Sequence, residues 1–312
     1  MNKQLLFTLY RIWSGSYKEG EMRKFIKRYI KRVIRKCKVV EKDGNLYITR
    51  GKSDTYPCVV AHLDQVQSKY PADYKVFEHD GIVHAFSLEE KCLCGLGADD
   101  KNGIFVALEC LKKYDNIKVA FFYGEEVGCR GSSCADMDFF SDVRFVLECD
   151  RKNGYDLISD ISGVTASKDF LADCEYEKFG YSETNGLMTD IEALCEKGIG
   201  VSCVNISCGY YNPHTDEEFT VLHELENCFN FVCHIIETCT KVYLYEYDCF
   251  YNDINITTAL YAVEVDFKWY GFSPFSTIVE MLGDPFPENE LKDAYEKVCK
   301  KYNHEPDWTT FD

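Results

Sequence analysis

No stretch of this sequence approaches the roughly 18–20 consecutive apolar residues of a membrane-spanning helix, so no membrane partner is expected. Positive charge is scarce as well: 35 Lys and Arg stand against 52 Asp and Glu, a formal net charge of −17. Duplex binding draws on basic side chains that face phosphates, so no nucleic-acid partner is expected either. Seven prolines, 46% hydrophobic and 28% charged residues give an ordinary globular composition. At 312 residues the chain can build one large α/β domain or two smaller ones. The opening Met1-Asn2-Lys3-Gln4 leads into a short apolar stretch and then Arg11, which lacks the form of a secretory signal. The 17 cysteines therefore call for a reading other than a disulfide framework. Cys58, Cys110, Cys149 and Cys203 sit in strand-like or helix-like runs, as small apolar residues do. They read as reduced thiols of a cytoplasmic protein. Cys92 and Cys94 form a C-x-C pair, but no second pair stands at zinc-finger spacing.

Hydrophobic periodicity organises what is present. Lys18 to Lys38 reads as a helix with Phe25, Ile26, Tyr29, Ile30, Val33 and Ile34 on one face and ten Lys or Arg elsewhere, a solvated face on an acidic protein. Ser16 followed by Glu19 reads as its capping box. Asn45–Ile48 after Asp43-Gly44, Pro57–Ala61, Val119–Tyr123, Arg144–Leu147 and Val201–Ser207 read as strands, and Pro57–Ala61 is apolar on both faces. Val76-Phe77 and Ile82–Phe86 flank His79-Asp80-Gly81 as a hairpin. Asn102–Lys113, Gly186–Lys197 and Leu222–Lys241 read as helices. This alternation predicts an α/β fold, a mixed and mostly parallel central sheet between two helical layers. Beyond residue 241 the character changes: Tyr243–Tyr251 is crowded with aromatic and acidic residues, and a helix is predicted over Glu288–Lys301. Residues 1–241 are thus read as a catalytic domain and 242–312 as a C-terminal extension.

Metal-type side chains punctuate this pattern in order: His62 and Asp64, Asp99 in Gly97-Ala98-Asp99-Asp100-Lys101-Asn102-Gly103, Glu125-Glu126, Asp150, and His214 in Asn212-Pro213-His214-Thr215. In α/β sheets ligands collect beyond the carboxyl ends of strands, where most of these residues fall. Two imidazoles with three carboxylates suit a pair of divalent ions about 3.5–4 Å apart, for which one carboxylate serves as bridge. Asp64, two residues after His62, is placed to orient its imidazole. In the Glu125-Glu126 pair one carboxylate binds metal, and the other accepts a proton from water and passes it to a leaving amine. Each piece alone has a bland reading as a cap, a solvated acidic pair or a loop histidine. Their joint order points to a metal-dependent hydrolase.

The set H-x-D, G-A-D-D-K-x-G, E-E-x-G and a late N-P-H-T resembles the co-catalytic di-zinc exopeptidases, with motifs like those of peptidase T, over roughly residues 5–240. The resemblance implies the three-layer zinc-exopeptidase fold and two Zn²⁺ ions, with Co²⁺ or Mn²⁺ as alternatives. It implies that His62 and Asp150 bind one ion, Glu126 and His214 the other, and that Asp99 bridges them. Glu125 becomes the general base and acid, and Asp64 the orienting carboxylate. It further implies a cis peptide between Asp99 and Asp100, and a tyrosine near the last histidine, Tyr210 or Tyr211, as an oxyanion or substrate contact. Only 64 positions separate Asp150 from His214, and they already hold a helix and a strand of the core. The lid and dimerisation insert of peptidase T is therefore expected to be missing, which leaves oligomeric state open. The expected activity is that of an aminopeptidase on short peptides. A deacylase of N-acyl amino acids on the same centre, or a non-catalytic descendant that binds peptides or partners, are the alternatives.

Overall fold

Residues 1–247, 259–260, 262–264, 267, 273–282 and 286–308 are described in this computed structural model. The chain divides into two compact units, Met1–Tyr247 and Asp248–Asp312. The first begins with α1 (Lys3–Tyr10), which Asn2 caps by accepting from the Leu5 N–H at 3.2 Å. It continues with α2 (Gly20–Tyr29), then β1 (Cys37–Lys42), β2 (Asn45–Arg50), β3 (Tyr56–His62), β4 (Lys75–His79), β5 (Ile82–Ser87) and β6 (Cys92–Cys94). Next come α3 (Ala98–Lys113), β7 (Ile117–Phe122), α4 (Arg130–Ser133), α5 (Met137–Phe140), β8 (Val143–Arg151), β9 (Asp156–Asp160), α6 (Lys168–Cys174), β10 (Ser182–Asn185) and α7 (Asp190–Glu196). β11 (Cys203–Ser207), β12 (Tyr210–Tyr211), β13 (Phe219–Val221) and α8 (Leu222–Thr238) close the unit.

Eight strands form the main sheet in the order β1-β2-β7-β3-β8-β11-β9-β10. Pairing is parallel from β7 through β3 and β8 to β11 and again between β9 and β10; the other three pairs are antiparallel. The mixed, mostly parallel sheet of the sequence reading is therefore present. Because side chains alternate across a strand, β3 sends Val59 and Ala61 into one core and Cys58 and Val60 into the other. The first core packs against α1, α3 and α8 through Leu9, Phe105, Leu108 and Phe231; the second packs against α5 and α7 through Phe140, Ile191 and Leu194. Every residue of β3 and β7 is buried, which is why those runs carry no polar alternation. Each such Val, Leu or Phe contributes roughly 1.5–3 kcal/mol by burial, so a charged residue at Val59 would break the layer. A smaller antiparallel sheet, β12-β13-β5-β4 with β6 on β5, flanks the main one and includes the predicted hairpin.

Two local expectations need correction. The predicted helix over Lys18–Lys38 is α2 followed by a π-turn at Ile30–Ile34. The chain then reverses at Arg35 and Lys36, with φ of 61° and 51°, and enters β1. The basic side chains are thus divided between a helix and a strand rather than gathered on one helical face. The capping box does not form either. The Ser16 hydroxyl donates to the buried Asp64 carboxylate at 2.7 Å, and Glu19 accepts from the Tyr17 N–H at 2.8 Å.

The boundary of the first unit falls after Tyr247 rather than after residue 241, because Tyr243 joins the core. Its N–H donates to the Arg144 carbonyl, its carbonyl accepts from Ser202, and its ring packs on Phe145 and Phe170. The second unit holds α9 (Phe275–Leu282) and α10 (Glu288–Lys301), the latter as predicted, around Ile278, Phe286, Leu291, Tyr295 and Val298. Acidic residues open α10 and lysines close it, each sign matched to the helix dipole. The aromatic and acidic stretch Tyr243–Tyr251 runs beyond the described residues. Among the described residues no helix is long and apolar enough to cross a membrane, and the 16 cysteines described are all free thiols.

Candidate metal centre

The carboxyl ends of β3, β7 and β8 lie side by side, and each delivers part of one acidic cluster. His62 is the last residue of β3, Glu125 and Glu126 follow β7, and Asp150 is the penultimate residue of β8. Asp99 enters from the start of α3. His214 comes from a different quarter, the β12–β13 hairpin of the small sheet, with φ of 65° in the left-handed region. An ordinary residue held there marks a constrained loop.

Asp99 stands between the two imidazoles. One oxygen lies 2.9 Å from His62 Nε2 and the other 3.2 Å from His214 Nε2. Asp150 is 3.6 Å from the same His62 nitrogen, and Glu126 is 3.0 Å from His214 Nε2. Five side chains named from the sequence therefore converge, in the grouping that the resemblance implies. Asp64 lies 3.5 Å from His62 Nδ1, too far for a good hydrogen bond, while its carboxylate accepts from Ser16 and from the Glu125 N–H at 3.0 Å. Tyr210 also lines the cleft and donates to Asp150 at 3.1 Å. Tyr211 is not in that lining, and its hydroxyl donates to Glu224 at 2.9 Å. The Asp99-Asp100 peptide is cis.

Whether a cation suits this space can be judged from its own groups. Each His Nε2 faces two carboxylates although it can donate one proton at most. The buried Glu126 Oε1 has no hydrogen-bond partner. Ligand-type atoms of His62, Asp99 and Glu126 lie within 4.8 Å of one another, as do those of His62, Asp100 and Asp150. Burial and the Asp99 charge push Asp150 up to about 7. Burial, then the carboxylates of Asp150, Asp190 and Asp99 against the opposing His62, push Glu125 up to about 9. Hydrogen bonds to Asp99 and Glu126 raise His214 to about 11. So many mutually repelling oxygens around two imidazoles could hold a divalent metal, and the residues fit such an ion.

Asp100 is the exception within that set. Each of its oxygens already accepts a backbone N–H, from His62 at 3.1 Å and from Gly103 at 2.8 Å, so it braces the backbone. This explains the glycine of the motif, since a Cβ at Gly103 would lie 2.3 Å from Asp100 Oδ1. The motif lysine is structural too. Lys101 is buried and donates to Gln65, Tyr70 and the Leu96 carbonyl, with burial lowering it to about 7. Sequence reasoning missed Glu218, which accepts from the Gly97 and Asp99 N–H groups and from Gln67 and so fixes the loop that carries Asp99. It missed Asn205, whose side-chain amide clamps the Asp150 backbone with two bonds of 2.9 Å. Ser16 was noticed but given the wrong task. Glu218 is only four residues past His214, a proximity that could have flagged it.

No protein-family model matches this sequence, and no curated protein sequence does. Solved structures do share its shape. The aminopeptidase PepT of Bacillus cereus superposes with a TM-score of 0.59 at 16% identity, over 76% of this chain and 97% of that one. A tripeptidase of Staphylococcus aureus gives 0.58 at 15%, over 75% and 96%. A TET aminopeptidase from the marine sediment archaeon Thaumarchaeota archaeon SCGC AB-539-E09 gives 0.57 at 16%, over 77% and 96%. The chain has the fold of these peptidases. At this level of identity the likeness speaks for architecture, and the chemistry rests on the side chains above.

Proposed function

We propose that this chain is a metal-dependent exopeptidase, an aminopeptidase that hydrolyses short peptides with the help of two divalent ions, zinc by preference. The observation that carries the reading is the convergence of His62, Asp99, Glu126, Asp150 and His214 at a cleft into which Glu125 also faces. His62 and Asp150 would hold one ion, Glu126 and His214 the other, with Asp99 shared between them. Ions bound there supply Lewis acidity toward the scissile carbonyl and the attacking water.

The protein's own contributions follow from its geometry. Glu125 takes the proton of the attacking water and returns it to the departing amine, a task open to a carboxylate that faces the cleft beside the ion site. Its backbone is fixed through Asp64, whose other oxygen is held by Ser16, so the base keeps its place relative to His62. The Tyr210 hydroxyl, which donates to Asp150, would hydrogen-bond a developing oxyanion by turning that proton away from the carboxylate. Between Asp150 and His214 the chain builds β9 to β12, α6 and α7, all within the first unit, so the active centre would work without an inserted lid. A reducing, cytoplasmic setting agrees with the free thiols. The test is a panel of free-amine peptides, N-acyl amino acids and N-blocked peptides offered to zinc-loaded protein. Cleavage confined to N-blocked substrates would replace the aminopeptidase reading with a deacylase. Absence of hydrolysis with both ions bound would favour a binding protein.

A further inference from the structure

The basic side chains of the N-terminal segment have no part in the candidate centre. Residues 18–38 hold ten of the chain's 35 Lys and Arg but only two of its 52 Asp and Glu. The reversal at Arg35 and Lys36 does not disperse them. It lays β1 back beside α2, so that Lys31, Arg35 and Lys36 line a groove of about 470 Å³ together with Ile30 and Val39. Glu41 is already taken by Lys27 and Arg23. Arg28, Lys31, Arg32, Arg35, Lys36 and Lys38 are exposed and make no ion pair among the described residues. Arg28 and Arg32 stand four apart, as do Lys27 and Lys31, a spacing at which like charges destabilise a helical turn. An anion on this surface would relieve that repulsion.

A second groove opens beside the same turn. It measures about 340 Å³ and is lined by Leu5 of α1 with Phe25, Tyr29 and Val33, the last 49% exposed. Lys112, near the end of α3, also lines it. Because α3 begins beside Asp99 and rises about 1.5 Å per residue, this face lies on the order of 20 Å from the cleft. Strand pairing places β1 likewise. Cys37 pairs with Arg50 and Arg50 with Ile117, the first residue of β7, whereas Glu125 follows its last.

A cationic groove beside an apolar one matches the boundary of an anionic bilayer, where charged headgroups lie over acyl chains. A nucleic acid would engage the cations and leave the apolar groove empty. The net charge of −17 does not forbid the contact. Charges more than about 8 Å away are largely screened at physiological salt, so the patch that faces the membrane decides.

We infer that residues 28–38 and the apolar groove beside them form a docking surface for an anionic membrane. The cations meet lipid headgroups, and Val33 with its neighbours meets acyl chain. The attachment is peripheral, since among the described residues no helix is long and apolar enough to cross a bilayer. It leaves the candidate centre on the remote side and does not depend on what that centre hydrolyses.

The test is sedimentation of the full chain with vesicles of phosphatidylcholine, with and without phosphatidylserine, at low and high salt. Binding is expected to the mixed vesicles alone and should fall as salt rises. Each cation near such a surface contributes about fivefold to the association constant, so K31Q/R35Q/K36Q should bind about a hundredfold more weakly. V33S should bind about threefold more weakly, since half of that side chain is already covered. All four residues are exposed, so both variants should keep the wild-type melting temperature. Absence of binding to the mixed vesicles at low salt, equal binding to phosphatidylcholine alone, or wild-type binding by either variant would overturn the inference. Capture of poly(U) RNA by a chain that ignores the mixed vesicles would also overturn it and assign the patch to nucleic acid.

Discussion

Asp100 separates two ways of reading the acidic cluster, and its replacement makes opposite predictions for them. If it is a backbone brace, as its contacts imply, Asp100→Ala orphans the N–H groups of His62 and Gly103, both in fully buried backbone. Each unsatisfied buried donor costs about 1–3 kcal/mol, so the loss of unfolding free energy should be about 2–6 kcal/mol. Asp100→Asn keeps one acceptor and should lose roughly half of that. For a unit of this size each kcal/mol shifts the melting temperature by roughly 2–4 °C. Chelator-stripped protein is the form to measure, by denaturant unfolding with the slope checked for constancy, because the brace acts whether or not metal is bound. A metal ligand would behave the other way. Removing one of several buried, mutually repelling carboxylates would leave the stripped protein equally or more stable, and bound metal would fall. A stripped Asp100→Ala protein with an unchanged or raised midpoint, together with reduced metal content, would refute the brace and place Asp100 among the ligands.

Other expectations are simpler to state. Glu125→Gln should retain metal by elemental analysis yet lose about 10²–10⁴ in kcat; a fully active variant would refute its role as base. Glu126→Gln should instead lower metal occupancy at limiting zinc, because its carboxylate sits against His214. Removal of metal by a chelator should abolish hydrolysis, and added zinc, cobalt or manganese should restore it. Tyr210→Phe should reduce kcat while Tyr211→Phe leaves it near wild type, and equal effects of the two would contradict their different placements.

The legible parts of this chain are those where one side chain carries one function along a regular element. β3, β7 and β8 were readable because burial leaves their runs largely apolar, and His62, Glu125-Glu126 and Asp150 followed because they stand at those strand ends. What stayed hidden required knowing who meets whom across the fold. Lys18–Lys38 has helical periodicity, but the turn at Arg35 and Lys36 depends on β1 pairing with β2, a tertiary gain that outweighs local propensity. Ser16 looks like a cap by spacing alone. Only the fold reveals a buried carboxylate 48 positions away that takes its hydroxyl. Asp99 and Asp100 are neighbours of identical chemistry, and no spacing argument could give them different roles.

The same point bears on Glu125 and Glu126, whose division of roles is proposed from resemblance and whose surroundings differ. Adjacent carboxylates leave a loop in different directions, so the partners of each decide its task. The Glu126 carboxylate meets His214, an imidazole brought by the small sheet, and its remaining buried oxygen has no protein donor. That is the situation of a ligand. Glu125 is tied through its backbone to Asp64, and through the other Asp64 oxygen to Ser16 in the α1–α2 connection. Its carboxylate meets only the Cys129 thiol at 3.7 Å and otherwise faces the cleft. A side chain with a fixed root and a weakly held tip can move a proton between water and a leaving group. The N-terminal segment, which carries none of the recognisable motifs, thus holds in place the root of the proposed base.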